Sequence, residues 1–439
     1  MSWRWPLGIF LFGVVGVLGY VAFAWQPEIA PIEPPALGTF APAAVARGEV
    51  LAEAGNCASC HTGKGEARFS GGHVFHTPFG ILYSTNITPD PATGIGHWSE
   101  AAFMRAMREG VARDGSHLYP AFPFDHFTKL TDADIKALYA YLMTQPAVNV
   151  RPVRNDLRFP FGIRALQAAW KALFLDKGVF KPNPARSEEW NRGAYLVEGL
   201  AHCGACHTPR NVLGAEQTGH PFASSLVDGW VTPALDLSAS PVRWTKASLV
   251  AFLRGGTTHR GRAIGSMGPV VKALAGLPDS DIEAIAAYFM DFNRPLHPTP
   301  EEAVAKALQA TAGKNLPMAV WKDSPRRYRG EQLYITACAS CHGTGGTTPL
   351  ATRAELGLST ALWQSSPHNF INIVLDGIGG DGDVPGPMMP PFRNALSDRD
   401  IAEIADYLRR TRVGEPLWPF FGQAVEVMRG YPRSWPVFR

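Results

Sequence analysis

Cys57-Ala58-Ser59-Cys60-His61, Cys203-Gly204-Ala205-Cys206-His207 and Cys338-Ala339-Ser340-Cys341-His342 are three copies of one pattern, and together they use all six cysteines of the chain. Cys-x-x-Cys-His is the attachment signature of c-type haem. Two thiols three positions apart reach the two vinyl groups of one haem, and the next residue, His, then lies under the iron and supplies an imidazole nitrogen. A redox dithiol or a zinc ribbon explains a Cys pair, and a disulfide framework explains an even count. None of these explains a His after every pair. Cys57, Cys60, Cys203, Cys206, Cys338 and Cys341 are therefore expected to hold three covalent haem c groups, with His61, His207 and His342 as iron ligands.

Working outward, each motif sits in a longer repeat. Upstream stands Arg-Gly-x-x-Leu, at Arg47-Gly48, Arg192-Gly193 and Arg329-Gly330, which opens the helix leading into the motif. Downstream stand Leu130-Thr131-Asp132-Ala133-Asp134-Ile135, Leu277-Pro278-Asp279-Ser280-Asp281-Ile282 and Leu396-Ser397-Asp398-Arg399-Asp400-Ile401. A tyrosine follows six residues after each Ile: Tyr141, Tyr288 and Tyr407. Thr131 and Ser397 are natural N-caps with acidic residues in the first turn, so each copy closes with a helix. A glycine in the first helix permits a close crossing with that last helix. The expected fold is mainly α: three tandem haem domains at 43–150, 188–297 and 325–413.

The rest of the chain divides around them. Pro6 to Trp25 is an uncharged, largely apolar run of about 20 residues, the length of a membrane-spanning helix. Trp3, Trp5 and Trp25 flank it, Arg4 precedes it and Glu28 follows. The expectation is a transmembrane anchor over 1–26 in the bacterial inner membrane, with the haem domains in the periplasm. A cleaved signal peptide, with Ala22-Phe23-Ala24 as its small-x-small site, is the alternative. A Pro-rich linker follows at 27–42. The linker 151–187 carries an apolar aromatic stretch from Phe159 to Phe180, read either as a surface-binding amphipathic helix or as packing between domains. A further linker spans 298–324. An aromatic tail, 414–439, with Trp418, Phe420, Phe421, Trp435 and Phe438, docks on a partner or covers the third domain. The net charge of +3 is too small to imply a nucleic-acid partner.

The sixth iron ligands follow from aligning the copies. Met267 lies 60 residues after His207, and Met389 lies 47 residues after His342, each shortly before the acidic start of the last helix. Methionine sulfur is the usual partner of His in electron-transfer cytochromes and raises the potential. Met388 is the rival to Met389. The first copy breaks the pattern, because Phe122 occupies the Met slot and cannot ligate iron. His126 is the candidate there, with His117, Met104 and Met107 behind it, and the competing reading is that His126 is a surface or propionate-binding histidine.

Further residues carry a family resemblance: Ser84-Thr85-Asn86-Ile87-Thr88-Pro89-Asp90, Gly94-Ile95-Gly96, Met107-Arg108-Glu109-Gly110, Leu118-Tyr119-Pro120-Ala121 and Cys206-His207-Thr208-Pro209-Arg210-Asn211. Over nearly its whole length the chain resembles the trihaem cytochrome c subunit of bacterial membrane-bound dehydrogenases for alcohols, gluconate, fructose and aldehydes. The resemblance implies a separate catalytic subunit of molybdenum or quinone/flavin type, with this chain passing its electrons to ubiquinone or another respiratory acceptor. Ala121-Phe122-Pro123-Phe124-Asp125-His126-Phe127 looks most like cytochromes paired with molybdenum-containing aldehyde dehydrogenases, whose complexes include a small iron–sulfur subunit. The rivals are a multihaem peroxidase, which needs an open coordination site, and a terminal-oxidase subunit or independent shuttle. No residue is assigned as a substrate-oxidising catalyst.

Overall fold

The computed structural model describes residues 4–36, 38–235, 244–258, 260–292, 325–343, 356–379 and 388–430. The expected linker 298–324 and the tail residues Trp435 and Phe438 lie outside them. Contacts divide the chain into two compact units, where the repeat led us to expect three separate domains. The first unit comprises 1–182 with 198–202 and 211–215, and the second holds the remainder. Helices take up about half of the chain, so the mainly helical expectation is corrected to a mixed architecture. The physical reason lies in the 44 glycines and 37 prolines, which break helices and leave long loops closed by short strands.

In the first unit the helix Pro42–Ala54 crosses Asp132–Met143. A Cβ on Gly48 would overlap the Ala137 carbonyl and the Tyr141 side chain, so only glycine allows this approach. Arg47, beside it, donates from Nε to Asp134 Oδ1 at 2.7 Å. Thr131 caps the second helix by accepting the Asp134 N–H at 3.2 Å, as its sequence position predicts. A three-stranded antiparallel sheet pairs Val74–Thr77 with Gly80–Tyr83 and then Asp156–Leu157, in register Phe75↔Leu82 and Gly80↔Leu157.

The helix Arg4–Ala24 begins this unit. Among the described residues no helix is long and apolar enough to cross a membrane, which overturns the expected transmembrane anchor and the inner-membrane placement built on it. The helix has no acidic residue in its first turn and no basic residue in its last. Its end is tied into the unit: His117 Nε2–H donates to the Ala24 carbonyl at 2.7 Å, and Tyr20 Oη donates to the Ala165 carbonyl at 2.9 Å. The Pro-rich segment that follows is extended but docked, with Ile29 N–H on the Arg113 carbonyl at 2.8 Å. The helix Leu166–Phe174, in the aromatic stretch, buries Trp170 against Phe124 and Ala215.

The second unit repeats the same crossing twice. The helices Glu188–Tyr195 and Asp279–Phe292 meet at Gly193 against the Ala284 carbonyl, and Pro325–Ala337 meets Asp398–Leu408 at Gly330 against the Glu403 carbonyl. Arg192 grips Asp281 through Nε and Nη2 at 2.7 and 2.8 Å, and Arg329 pairs with Asp400 at 2.5 Å. Its strands among the described residues are two small hairpins, Leu226–Val227 with Trp230–Val231 and Thr257–Thr258 with Gly261–Arg262. The described part of the tail packs on the third copy of the repeat, with Trp418 stacked on Phe421 at 5.6 Å in a core that includes Tyr334 and Ile401.

Candidate haem centres

In each motif a one-turn helix carries the side chains: Cys57–His61, Cys203–His207 and Ala339–His342, the last with Cys338 at its N-cap. None of the six cysteines is joined in a disulfide. Burial, reinforced by the neighbouring cysteine of the motif, pushes Cys57 and Cys203 up to about 12 and Cys338 to about 11. These thiols are therefore held neutral at physiological pH.

The histidines of the first two motifs are held alike. His61 Nδ1 lies 2.7 Å from the Thr85 carbonyl, and His207 Nδ1 lies 2.9 Å from the Pro233 carbonyl. A carbonyl only accepts, so Nδ1 carries the proton and Nε2 keeps its lone pair. That is the tautomer a metal-ligating imidazole needs, with its orientation set by the second nitrogen's hydrogen bond. Burial lowers the affinity of both rings for a second proton, although each carbonyl bond opposes the shift. Neutral imidazole and adjacent thiols form the donor set of haem c, so the residues fit that group.

Loop chemistry places those carbonyls. Asn86 Nδ2 donates to the Val148 carbonyl at 2.8 Å, and its Oδ1 accepts the Thr88 N–H at 2.9 Å. Asp90 Oδ1 accepts the Thr93 N–H at 2.7 Å. Residues 84–90 thus build the turn that presents Thr85 to His61. Around the second motif, Thr232 Oγ1 donates to the Cys206 carbonyl at 3.0 Å, one residue before Pro233.

On the methionine side, Met267 opens the helix Met267–Leu274 and packs with Ala263, Val271 and Phe252. Ser266 Oγ donates to Asp228 Oδ2 at 2.6 Å. Gly265, at φ +56°, lies flat on the Trp230 indole, where a side chain would collide. Met389 exchanges both backbone bonds with Ile378 at 2.9 Å, and its side chain packs on the core that also contacts Cys338 and Ala339. Met388 is 72% exposed, so of the two it is Met389 that faces the core beside the third motif.

At the first motif, Phe122 packs with Phe124, Trp170 and Ala215, and its ring lies 5.3 Å from Phe127; the Met slot is filled by an apolar packing residue. His126 sits on the short helix Phe124–Phe127, with Nδ1 donating to the Glu198 carbonyl at 2.7 Å. Its ring lies 6.3 Å from His202, whose Nε2 is 3.2 Å from the Gly55 carbonyl. His126 thus has the tautomer of a ligating histidine. His117 is buried with Nε2 committed to Ala24, Met107 lies in the core and Met104 is half-buried.

Sequence reasoning noted both the Arg-Gly and the Asp-x-Asp patterns but not that they are partners. The signal was available, because each Arg precedes its glycine and each pairs with the second Asp. It also missed the Thr85 and Pro233 carbonyls, whose trace is only their similar separations of 24 and 26 residues from the histidines.

Comparison with known proteins agrees with this chemistry. Residues 45–146 match the cytochrome c family, and residues 326–408 match the family of cytochrome c oxidase, cbb3-type, subunit III. Two segments match rather than the three expected from the repeat, so the expectation of three tandem cytochrome c domains is corrected to two. The middle copy has the crossing and the motif. The gluconate 2-dehydrogenase cytochrome c subunit of Pantoea cypripedii is 37% identical over 398 residues, covering 84% of this chain and 85% of that one. The fructose dehydrogenase cytochrome subunit of Gluconobacter japonicus is 36% identical over 404 residues, covering 86% and 81%. A nicotinate dehydrogenase subunit of Pseudomonas putida is 44% identical over 98% of this chain, which spans only 36% of that protein.

Proposed function

The chain belongs to the cytochrome c subunits of dehydrogenases, and on that premise we propose that it holds three covalent haem c groups, one in each of 43–150, 188–297 and 325–413. It takes electrons from a separate catalytic subunit and delivers them to ubiquinone or another respiratory acceptor. The observation that carries this reading is the axial-histidine geometry beside the motif thiols, with Nδ1–H on a carbonyl and Nε2 kept for iron. Haem iron supplies a one-electron ferric/ferrous couple when bound. The protein's own part is to fix the imidazoles, offer Met267 and Met389 as soft sixth ligands that raise the potential, and exclude water with the cores around each crossing. At the first haem, His126 is the proposed sixth ligand.

The partner we infer is an aldehyde dehydrogenase of the molybdenum type with a small iron–sulfur subunit, on the strength of the resemblance at Ala121–Phe127. A second reading, a partner that oxidises nicotinate, is favoured by the 44% identity to the nicotinate dehydrogenase subunit of Pseudomonas putida. Mass spectrometry of the purified chain should show three haem additions; two would sink the count. Co-purified complex given an aldehyde should reduce the haems. Reduction by nicotinate alone would select the second reading, and peroxide turnover by the isolated chain would replace both with an enzyme.

A further inference from the structure

In the second compact unit, the turn that holds His207 is itself held by the segment of the third haem. The hairpin Leu226–Val227/Trp230–Val231 leads directly into Thr232 and Pro233, whose hydroxyl and carbonyl serve Cys206 and His207. At its other end Asp228 accepts from Ser266, the residue before Met267. One small hairpin therefore touches both the His207 turn and the segment that carries Met267. Two strands of two residues have almost no stability of their own, so something else must fix it.

Three buried amides do so. Asn369 Oδ1 accepts the Val231 N–H at 2.9 Å, and its Nδ2 donates to the Val231 carbonyl at 2.7 Å. Gln364 Nε2 donates to the same carbonyl at 3.0 Å and its Oε1 accepts from Asn369 at 2.9 Å. Asn372 Nδ2 donates to the Gly229 carbonyl at 2.9 Å. All three residues are at most 7% exposed, so these bonds satisfy groups that would otherwise be costly to bury. Asn369 and Asn372 lie on the helix His368–Asp376, which runs through Gly377 to Ile378, the backbone partner of Met389.

We propose that Asn369, from the third haem's segment, is a positioning residue for the axial histidine of the second haem. It fixes Val231 so that the Pro233 carbonyl keeps its bond to His207 Nδ1–H. This rests on the reading of Cys203–His207 as a haem centre. The bond makes the imidazole more basic, which favours ferric iron and lowers the potential. Loosening it therefore raises the second haem's potential, whereas a purely structural amide would alter stability and leave the potential alone.

The test uses the full haem-loaded chain and potentiometric titration, with the second haem identified by its loss in a Cys203→Ala, Cys206→Ala variant. Asn369→Leu keeps the branched shape of the side chain and adds no charge. It is expected to shift the oxidised/reduced ratio of the second haem about tenfold toward reduced, about 59 mV for one electron. The first haem should not move, and the axial His207 Nδ1–H should exchange faster by NMR. Gln364→Met removes its two bonds, to the Val231 carbonyl and from Asn369, but leaves both Asn369–Val231 bonds in place, and should give a smaller shift of the same sign; it decides the matter if Asn369→Leu fails to fold. An unchanged potential and exchange rate in a folded variant overturns the proposal. Failure of the underlying reading looks different: His207→Ala would then leave the haem spectrum of the wild type unaltered.

Discussion

Replacing Gly193 with Ala separates the crossing from ordinary helix propensity, because the two predict opposite signs. Gly193 lies inside Glu188–Tyr195. In an open helix interior, Ala is better than Gly by about 1 kcal/mol. Here the new Cβ would overlap the Ala284 carbonyl and crowd the Tyr288 side chain. A backbone carbonyl cannot rotate away, so the two helices must part, and overpacking of this kind costs about 1–3 kcal/mol. At the upper end of that range the net loss is about 2 kcal/mol, equivalent to a fall in Tm of about 4–8 °C for a unit of this size. Gly422, also helical, has nothing within 4 Å of an added Cβ, so Gly422→Ala is the control and should be neutral or stabilising. The assay is thermal unfolding of haem-loaded protein followed by far-ultraviolet circular dichroism, with haem content checked for each variant. A Tm for Gly193→Ala equal to or above that of wild type would refute the close crossing and, with it, the account of why each copy has Arg-Gly.

Three further outcomes are expected. Met389→Ala should lower the third haem's potential while Met388→Ala leaves it in place, since only Met389 packs beside the motif; redox titration of the pair checks this, and equal effects would remove the assignment. His126→Ala should abolish a bis-histidine low-spin signal in low-temperature electron paramagnetic resonance, and a high-spin signal already present in wild type would exclude His126 as ligand. Asp400 accepts from Ser397 and Arg329, which hold its carboxyl below its ordinary value of 3.8 against a small opposing effect of burial. A depressed folded value stabilises above the ordinary pKa and is lost as pH falls through the folded one. Asp400→Asn should therefore lower the urea midpoint at neutral pH, with the gap closing below pH 3.8; a gap that persists in acid would mean the carboxylate charge is not the cause.

Much of the candidate chemistry was legible in the residues. The three Cys-x-x-Cys-His motifs name their donors because the attachment geometry needs that spacing and nothing else does. Thr131 and Ser397 announced their helices, because an N-cap acts on backbone groups only a few residues away. Even the glycines of the crossings were readable, since a glycine inside a helical pattern needs a packing reason. These are local constraints, and local constraints are written in the order of the chain.

What only the tertiary structure decided depends on contacts distant in sequence. The sequence supplied Arg47 and Asp134, 87 residues apart, but their pairing required the helices to be crossed first. The carbonyls of Thr85 and Pro233 have no side-chain signature, since any residue offers one; folded loops bring them to His61 and His207. Met388 stood in the sequence as the rival to Met389, and the fold separates them: Met389 turns inward at its backbone bridge with Ile378, whereas Met388 is exposed. Phe122 could be excluded as a ligand from its chemistry alone, whereas its burial with Phe124, Trp170 and Ala215 had to be seen. The expected anchor went the other way: apolar length suggested a membrane span, and the structure ties that helix's end to His117 and Ala165. Leu11, Phe12, Val15 and Leu18 of that helix remain more than half exposed; apolar composition favours leaving water but does not choose the surface that covers it. That choice belongs to the surfaces it meets once the chain has folded.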